Sequence, residues 1–174
     1  MSLTPSPSER DHARGALSAP VVLVHYGDFE CPYSGALFPV LQEAKAQMGD
    51  DLCVIFRAFP LPDLHPHALQ AALAAEAAGD KFWEMHDLLF QNQDALETED
   101  LHDYAAQLEL GADWEQKMNS DAVRDKVKAS VESGHQSGAH GTPSVFINGA
   151  FHDNDEGLWK MSRLKPLLEK ANQR

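Results

Sequence analysis

Two apolar runs of strand length, separated by one helix-length segment, constrain the fold of this chain most. The runs cover residues 21–26 and 52–59, and apolar residues recur every three or four positions over residues 37–44 between them. The runs predict buried strands and the spacing between them predicts a helix. Because a short helical crossover joins parallel strands, we expect a strand–helix–strand unit with its two strands parallel.

The middle of the chain has helical periodicity throughout, over about residues 64–137. Gly79 is typical of a helix end, and Thr98 and either Ser120 or Asp121 are predicted as helix N-caps. No linker composition separates this block from the rest of the chain. It is therefore predicted to be an all-helical subdomain inserted into an α/β fold.

The C-terminal part predicts a β-hairpin and a final helix. Residues 144–148 and 150–152 have strand character, and Asn148-Gly149 favours a type I′ turn between them. The tail LWKMSRLKPLLEKA predicts the helix, with Pro166 limiting how far upstream it extends. The hairpin adds antiparallel strands, so the predicted architecture is a mixed sheet with helices on its faces. A Ser/Pro-rich start, residues 1–10, is predicted to be disordered, and residues 11–174 to form one domain.

The charge balance and the absence of long apolar stretches narrow the possible partners and location. The chain of 174 residues has a formal net charge of −13, and its acidic residues are spread along the sequence. This argues against binding to nucleic acid or an anionic membrane. No stretch reaches the roughly 18 apolar residues of a membrane span, and no signal peptide is visible. We therefore expect a cytoplasmic protein without membrane insertion, and the oligomeric state stays open.

One of the two cysteines stands where a strand should meet a helix. Cys31 follows the first strand and directly precedes Pro32, which is well suited to the first turn of a helix. The N–H groups of that turn lack partners and the helix dipole is positive there, so both stabilise a thiolate, the form of cysteine that attacks disulfides. Cys31 is therefore predicted to be a nucleophile. Cys53, inside the second apolar run, is predicted to be a core residue.

Four motifs in order resemble a known family. GDFECPYSG resembles the active-site region of the DsbA-like branch of the thioredoxin superfamily, whose usual form is Cys-Pro-aromatic-Cys. FRAFPL with the later HPHALQAALAAEAA, KFWEMHDLLFQNQDAL and GAHGTPSVFINGAF resemble further stretches of that family, and the likeness runs over about residues 11–171. It implies a thioredoxin-like α/β fold with an inserted helical subdomain, and protein-disulfide oxidoreductase activity on protein or peptide thiols and disulfides.

The resemblance also implies roles for residues around the cysteine. Thr142-Pro143 should face Cys31 with a cis peptide bond, so that the Thr142 backbone can pair with an extended substrate peptide. Pro32 and Tyr33 are expected on the same substrate-binding surface.

Ser34 departs from the family pattern, because it stands where the second, resolving cysteine would be. A hydroxyl cannot release a mixed disulfide, although it can donate a hydrogen bond toward Cys31 and favour the thiolate. Three interpretations stay open. The protein is a monothiol enzyme that uses an external thiol such as glutathione, or Ser34 was engineered from cysteine, or the domain is a redox-inactive module that binds peptides or a partner.

Ionisable residues near the motifs suggest further roles. Glu30 and His140 are placed to tune the ionisation of the catalytic thiol. His65 and His67 lack a third ligand at a convincing spacing, so no metal site is predicted. No bound cofactor is expected.

Overall fold

The computed structural model describes residues 2–173 and contains a five-stranded sheet with helices around it. The strands and helices, in chain order, are β1 (His12–Arg14), β2 (Val21–Gly27), α1 (Pro32–Met48), β3 (Leu52–Ala58), α2 (Ala68–Ala77), α3 (Phe82–Gln91), α4 (Thr98–Gln107), α5 (Asp113–Met118), α6 (Asp121–Ser137), β4 (Ser144–Ile147), β5 (Ala150–His152) and α7 (Met161–Asn172).

The sheet has the order β1-β3-β2-β4-β5 and confirms the predicted mixed topology. Strands β2 and β3 are parallel, with Val21 opposite Leu52 and Gly27 opposite Ala58. The other three pairings are antiparallel. In the hairpin between β4 and β5, Asn148 and Gly149 both have positive φ, at 48° and 83°, as a type I′ turn requires. Because β2 and β3 run in the same direction, their carboxyl ends share one edge of the sheet.

Helices α2–α6 form the inserted block between β3 and β4, as predicted. They pack around a core that includes the fully buried Met85, Leu89 and Leu101, and Phe29, Phe38 and Phe56 from outside the block contribute to it. Ser120 is the N-cap of α6 and accepts the Val123 N–H at 3.2 Å. The N-cap of α4 is Glu97 and not Thr98, since the Glu97 carboxylate and Asp100 form a reciprocal capping box.

The prediction of a disordered segment over residues 1–10 is wrong for residues 2–10. Leu3 is buried, and Thr4 exchanges hydrogen bonds with the Ser137 hydroxyl at 2.8 and 3.1 Å. The buried guanidinium of Arg57 donates to the Pro5 carbonyl at 2.9 Å. A buried guanidinium needs acceptors for its N–H groups, and this need holds the segment against the domain. Met1, and Arg174 of the predicted domain, lie outside the described residues.

Strand β1 is too short for the sequence to have predicted it. It has three half-buried residues, and it pairs with β3 through His12–Phe56 and Arg14–Val54. Of residues 2–173, no helix is both long and apolar enough to cross a membrane.

Candidate functional site: the Cys31 loop

The reactive cysteine lies at the carboxyl edge of the sheet, in the loop from β2 to α1. Cys31 is the N-cap of α1, with extended backbone angles of φ −70° and ψ 124°, and Pro32 occupies the first helical turn. Its own N–H donates to the Asp28 carbonyl at 3.0 Å, and its carbonyl accepts the Gly35 N–H at 2.9 Å. The loop therefore places Cys31 at the N-terminus of a 17-residue helix, where the helix dipole is positive.

The loop before β4 closes over this cysteine. The Thr142–Pro143 peptide bond is cis, and the Cys31 thiol donates to the Thr142 carbonyl, with 3.6 Å between Sγ and O. Cys31 and Thr142 are only 4% and 5% exposed, so the sulfur is covered by this loop as well as placed beside it. The Thr142 hydroxyl is buried and has no hydrogen-bond partner within the described chain.

Ser34 makes a different contact from the one expected. It is completely buried, and its Oγ accepts the Asp28 N–H at 3.3 Å. The Asp28 N–H follows the last residue of β2 and needs an acceptor once strand pairing has ended. Ser34 thus stabilises the loop that carries Cys31.

Two carboxylates of this loop are held by two histidines of the segment after β3. Asp28 accepts the Glu30 N–H, the Leu61 N–H and His65 Nδ1, at 2.8, 3.0 and 2.8 Å. Glu30 accepts the His67 N–H at 3.2 Å and lies 2.7 Å from His67 Nδ1. We call Asp28, Glu30, His65 and His67 the carboxylate–histidine clamp. It fixes the segment before α2 against the Cys31 loop.

Gln93, just beyond the end of α3, holds the same loop from the helical block. Its Nε2 donates to the carbonyls of Phe29 and Cys31, at 2.9 and 2.8 Å. A side chain at Gly35 would collide with Gln93, so the close approach of the amide requires glycine there. The helical insertion therefore positions the nucleophile directly.

An aromatic surface flanks the cysteine on the solvent side. Tyr33 is 54% exposed and packs against Trp159, with 4.7 Å between ring centroids. Pro32 is also exposed. Pro32 and Tyr33, the exposed residues of the expected substrate-binding surface, thus directly follow Cys31 in the sequence.

The residues expected to tune the thiol contact other groups. Glu30 pairs with His67, as described above. His140 is exposed, its Nδ1 is 3.2 Å from the Gly138 carbonyl and its Nε2 is 3.4 Å from the Asp153 carboxylate. Neither side chain forms a hydrogen bond with Cys31 in the described part of the chain.

Cys53 lies at the opposite edge of the sheet. It is the second residue of β3, and Ala58 ends that strand near the Cys31 loop. The five residues from Cys53 to Ala58 span about 17 Å along the strand, at about 3.3 Å each. A disulfide needs Cα atoms within about 7 Å. Burial raises the pKa of the Cys53 thiol. Cys53 is a core residue, and it cannot reach Cys31.

The comparisons with known proteins agree with this fold. The thioredoxin family model Thioredoxin_4 matches residues 7–164, so the chain belongs to this family of DsbA-like thioredoxin domains. A protein of Mycolicibacterium vanbaalenii named Na(+)/H(+) antiporter NhaA 1 is 41% identical over 96% of this chain. A Salinispora arenicola protein of the same name is also 41% identical, over 92% of the chain. The chain spans about a quarter of the length of these curated relatives (27% and 25%).

Two solved structures have the same fold as this chain. Wolbachia pipientis alpha-DsbA1 superposes with a TM-score of 0.79 and 21% identity, covering 96% of this chain and 93% of that one. Oxidised BdbD from Bacillus subtilis also gives a TM-score of 0.79 with 21% identity, and the match covers 99% of each chain. At these identities the likeness extends to the fold alone.

The structure also gives roles to residues that the sequence left without one. In the sequence, His65 and His67 suggest metal ligands only, Asp28 is simply part of the GDFECPYSG motif, and Gln93 belongs to no site motif. One signal was present: Asp28 and Glu30 are two residues apart, and so are His65 and His67. Asp28 and Glu30 directly follow β2, and His65 and His67 lie in the segment between β3 and α2, so the matched spacing is compatible with two ion pairs. Nothing local in the sequence indicates the role of Gln93.

Proposed function

We propose that the protein catalyses thiol–disulfide exchange with Cys31 as its one nucleophile, and that an external thiol such as glutathione completes each turnover. The observation that carries this proposal is the position of Cys31, at the N-terminus of a long helix and beneath the Thr142–Pro143 loop. The DsbA-like fold supports protein thiols and disulfides as partners. A reducing compartment such as the cytoplasm would supply the external thiol.

The chemistry has two balanced steps. The Cys31 thiolate attacks a substrate disulfide, forms a mixed disulfide with one sulfur and releases the other as a thiolate. A glutathione thiolate then attacks the mixed disulfide, which restores the Cys31 thiolate and leaves a disulfide between glutathione and the substrate. Ser34 carries no sulfur and Cys53 is too distant, so the second step needs the external thiol.

Substrate has to displace the contact that covers the sulfur. The Cys31 thiol is 4% exposed and donates to the Thr142 carbonyl. An extended peptide that pairs with the Thr142 backbone would lie across this loop, with Tyr33 and Pro32 beside it. The same burial also favours the second candidate function, a redox-inactive domain that binds peptides without exchange.

Reaction with oxidised glutathione separates the two candidates. Mass spectrometry should detect one glutathionyl group on Cys31, and reduced glutathione should release it over repeated cycles. Cys53→Ser should react like the unchanged protein, and Cys31→Ser should not react. Absence of any adduct on Cys31 would contradict the exchange function and leave peptide binding as the activity to test.

Restoring the second thiol tests the assigned role of Ser34. In oxidised glutathione, Ser34→Cys should form a disulfide between Cys31 and the introduced thiol, and in a single turnover its release of the substrate from the mixed disulfide should no longer depend on the concentration of reduced glutathione. Persistent dependence on glutathione would show that the missing resolving sulfur is not what limits the unchanged protein. The natural gene sequence at position 34 separates a native monothiol enzyme from an engineered one.

A further inference from the structure

The exposed large apolar side chains of residues 2–173 all belong to segments that meet at the Cys31 loop. They are Tyr33, Leu64 and Leu69, which are 54%, 72% and 42% exposed. Tyr33 follows the nucleophile by two residues, and the two leucines belong to the segment after β3 and to the first turn of α2. Single exposed apolar side chains are ordinary, whereas their collection at one place indicates a binding surface.

The carboxylate–histidine clamp fixes the two leucines beside the thiol. Leu64 directly precedes one clamp histidine, and Leu69 follows the other by two residues. The Nδ1 atoms of these histidines lie 2.8 and 2.7 Å from carboxylate oxygens of the clamp. One of the carboxylates belongs to Glu30, the residue before Cys31. The leucines therefore lie on the side of the thiol where the helical block begins.

Exposed carboxylates border this apolar surface. Asp63 directly precedes Leu64, and Asp94 follows Gln93, whose amide donates to the Cys31 carbonyl at 2.8 Å. Both aspartates are exposed, and none of the ion pairs within residues 2–173 includes either of them. Their charges are therefore available to a bound partner.

The helical block joins these features into one surface and supplies no nearby cation along its sequence. Gln70 donates to the Leu96 carbonyl at 2.6 Å, which brings the turn that carries Leu69 against the segment that carries Asp94. Over residues 82–116, acidic residues recur and the chain has no lysine or arginine. This side of the thiol site is therefore apolar and negatively charged together.

A substrate that covers this surface has to match both properties. Burial of the exposed leucines is favourable only against an apolar side chain. The unpaired carboxylates attract a lysine or arginine and repel an acidic residue. The aliphatic stem of such a cation can lie along the apolar surface while its charged end reaches a carboxylate.

We propose that the exchange substrate is a protein segment in which the reactive cysteine has an apolar residue and a lysine or arginine close to it in sequence. The apolar side chain packs on Leu64 and Leu69, and the cation pairs with Asp63 or Asp94. This inference rests on the exchange function proposed above and names the substrate class for it.

Peptides that carry one cysteine as a mixed disulfide with 2-nitro-5-thiobenzoate measure this preference. The Cys31 thiolate attacks the peptide sulfur, forms a disulfide with the peptide and releases the coloured nitrothiobenzoate as a thiolate. Three acetylated and amidated peptides share the sequence X-Leu-Cys-Leu-X, with arginine, glutamine or glutamate at X. A fourth keeps arginine at X and has serine in place of leucine. Each rate is divided by the rate with free 2-mercaptoethanol, which removes the intrinsic effect of the peptide charges on the disulfide.

The relative rates should separate the charged and the apolar contributions. The arginine peptide should react about tenfold faster than the glutamate peptide, with glutamine between them, because attraction to exposed carboxylates replaces repulsion. Serine in place of leucine should slow the arginine peptide about tenfold. At about 1 M salt, where the screening length is about 3 Å, the preference for arginine should disappear and the preference for leucine should remain.

Single substitutions of exposed residues locate the surface: Asp63→Asn, Asp94→Asn, Leu64→Ser and Leu69→Ser. Each aspartate variant should lower the preference for arginine about twofold, and each leucine variant should lower the preference for leucine. Asp50→Asn is the matched control and should keep both preferences. Asp50 is exposed and lies beyond the far end of α1, about 25 Å along the helix axis from Cys31 at 1.5 Å per residue.

A small probe separates this inference from the exchange function. The mixed disulfide of 2-mercaptoethanol with nitrothiobenzoate has no peptide side chains, so it should react equally with Cys31 in all these variants. If Cys31 reacts but the four peptides have equal relative rates, the substrate class is overturned while the exchange function stands. If neither this probe nor any peptide modifies Cys31, the exchange function fails. Calorimetric binding of the same peptides with serine in place of cysteine then decides: the same order of preference supports the surface, and equal binding or none overturns it.

Discussion

Acidification should destabilise this protein well above the pH at which carboxylates titrate, because two histidines are buried in neutral form. Burial lowers the pKa of His25 to about 3 and, although the bond to Asp87 opposes it, that of His86 to about 4. Both side chains lie in the aromatic cluster around Phe56 and Phe90. Neither can gain a proton in the folded protein without placing a charge in that cluster.

The sign and size of the effect follow from these values. The unfolded chain protonates both histidines as the pH falls below about 6.5, whereas the folded chain stays neutral at both until about pH 4. Stability is therefore complete above the unfolded pKa and is lost as the pH falls toward the folded pKa. Relative to pH 8, the loss at pH 5 is about 2 kcal/mol for each histidine. The sum, about 4 kcal/mol, is a large part of the roughly 5–15 kcal/mol typical of a domain.

Other buried groups act at lower pH. Burial opposes ionisation of Asp87, but hydrogen bonds from His86 and Arg14 bring the pKa of its carboxyl below the ordinary value. The pKa of Glu76 is held low in the same way by His12 and Lys126, against the effect of burial. Stability that depends on these carboxylates is present above their unfolded pKa values and is lost only below about pH 4.5. The interval between pH 8 and 5 therefore reports mainly on the histidines.

Urea unfolding followed by circular dichroism at several pH values between 8 and 5 measures this loss. His25→Phe keeps a ring in the cluster and removes one titrating group, so its loss should shrink by about 2 kcal/mol. His140→Gln, at an exposed position, should keep the full loss. If the free energy of unfolding falls by the same amount between pH 8 and 5 in the unchanged protein and in His25→Phe, the assignment of the loss to His25 is refuted.

Three further substitutions test the contacts that hold the site and the N-terminal segment. Gln93→Ala removes two hydrogen bonds to the Cys31 loop, so it should lower stability by about 1–3 kcal/mol and change the rate at which Cys31 reacts with iodoacetamide. Asp28→Asn should cost about 2–3 kcal/mol in urea unfolding, because an amide replaces a carboxylate that accepts three hydrogen bonds. Arg57→Met leaves Asp11 without its buried partner at 2.8 Å, and it should cost about 3–5 kcal/mol and expose the N-terminal segment to limited proteolysis.

Exposed residues of the same types provide matched controls. Gln136→Ala, Asp155→Asn and Arg10→Met alter side chains on the surface. Each should change stability by less than about 0.5 kcal/mol. If the controls lose as much stability as the buried variants, the losses do not come from the buried contacts.

The sequence predicted the parts of the fold that rest on periodicity and local turn chemistry. The runs that became β2 and β3 are apolar except for His25 and Arg57, as is typical of strands buried on both faces. Asn148-Gly149 and Ser120 were predictable because each satisfies a local backbone requirement. Strand β1 and the packed N-terminal segment were not, since both depend on distant partners. The segment reads as disordered until the acceptor requirement of buried Arg57 is known.

In the candidate site, too, the residues with local signals were predictable and those held by distant contacts were not. Cys31 and the Thr142–Pro143 loop were found because helix-terminus chemistry and the family resemblance both point to them. The contacts that fix the Cys31 loop, from Gln93 and the carboxylate–histidine clamp, join segments 37 to 64 positions apart. Ser34 shows the limit most clearly. Its residue type predicted that the hydroxyl donates to the thiol, whereas the contact found in the structure has Ser34 Oγ accepting the Asp28 N–H at the end of β2.

The loop around Cys31 keeps its geometry without a second sulfur. Gln93 holds the Phe29 and Cys31 carbonyls, Gly35 leaves room for that amide, and Asp28 receives three donors; none of these contacts uses the side chain of Ser34. Ser34 adds one hydrogen bond, at 3.3 Å, to a loop that is already fixed. Replacing its oxygen by sulfur should therefore alter the resolving step far more than the shape of the site. This is why Ser34→Cys is a clean test of exchange by a single thiol, since a change in its dependence on glutathione then reports chemistry and not refolding of the loop.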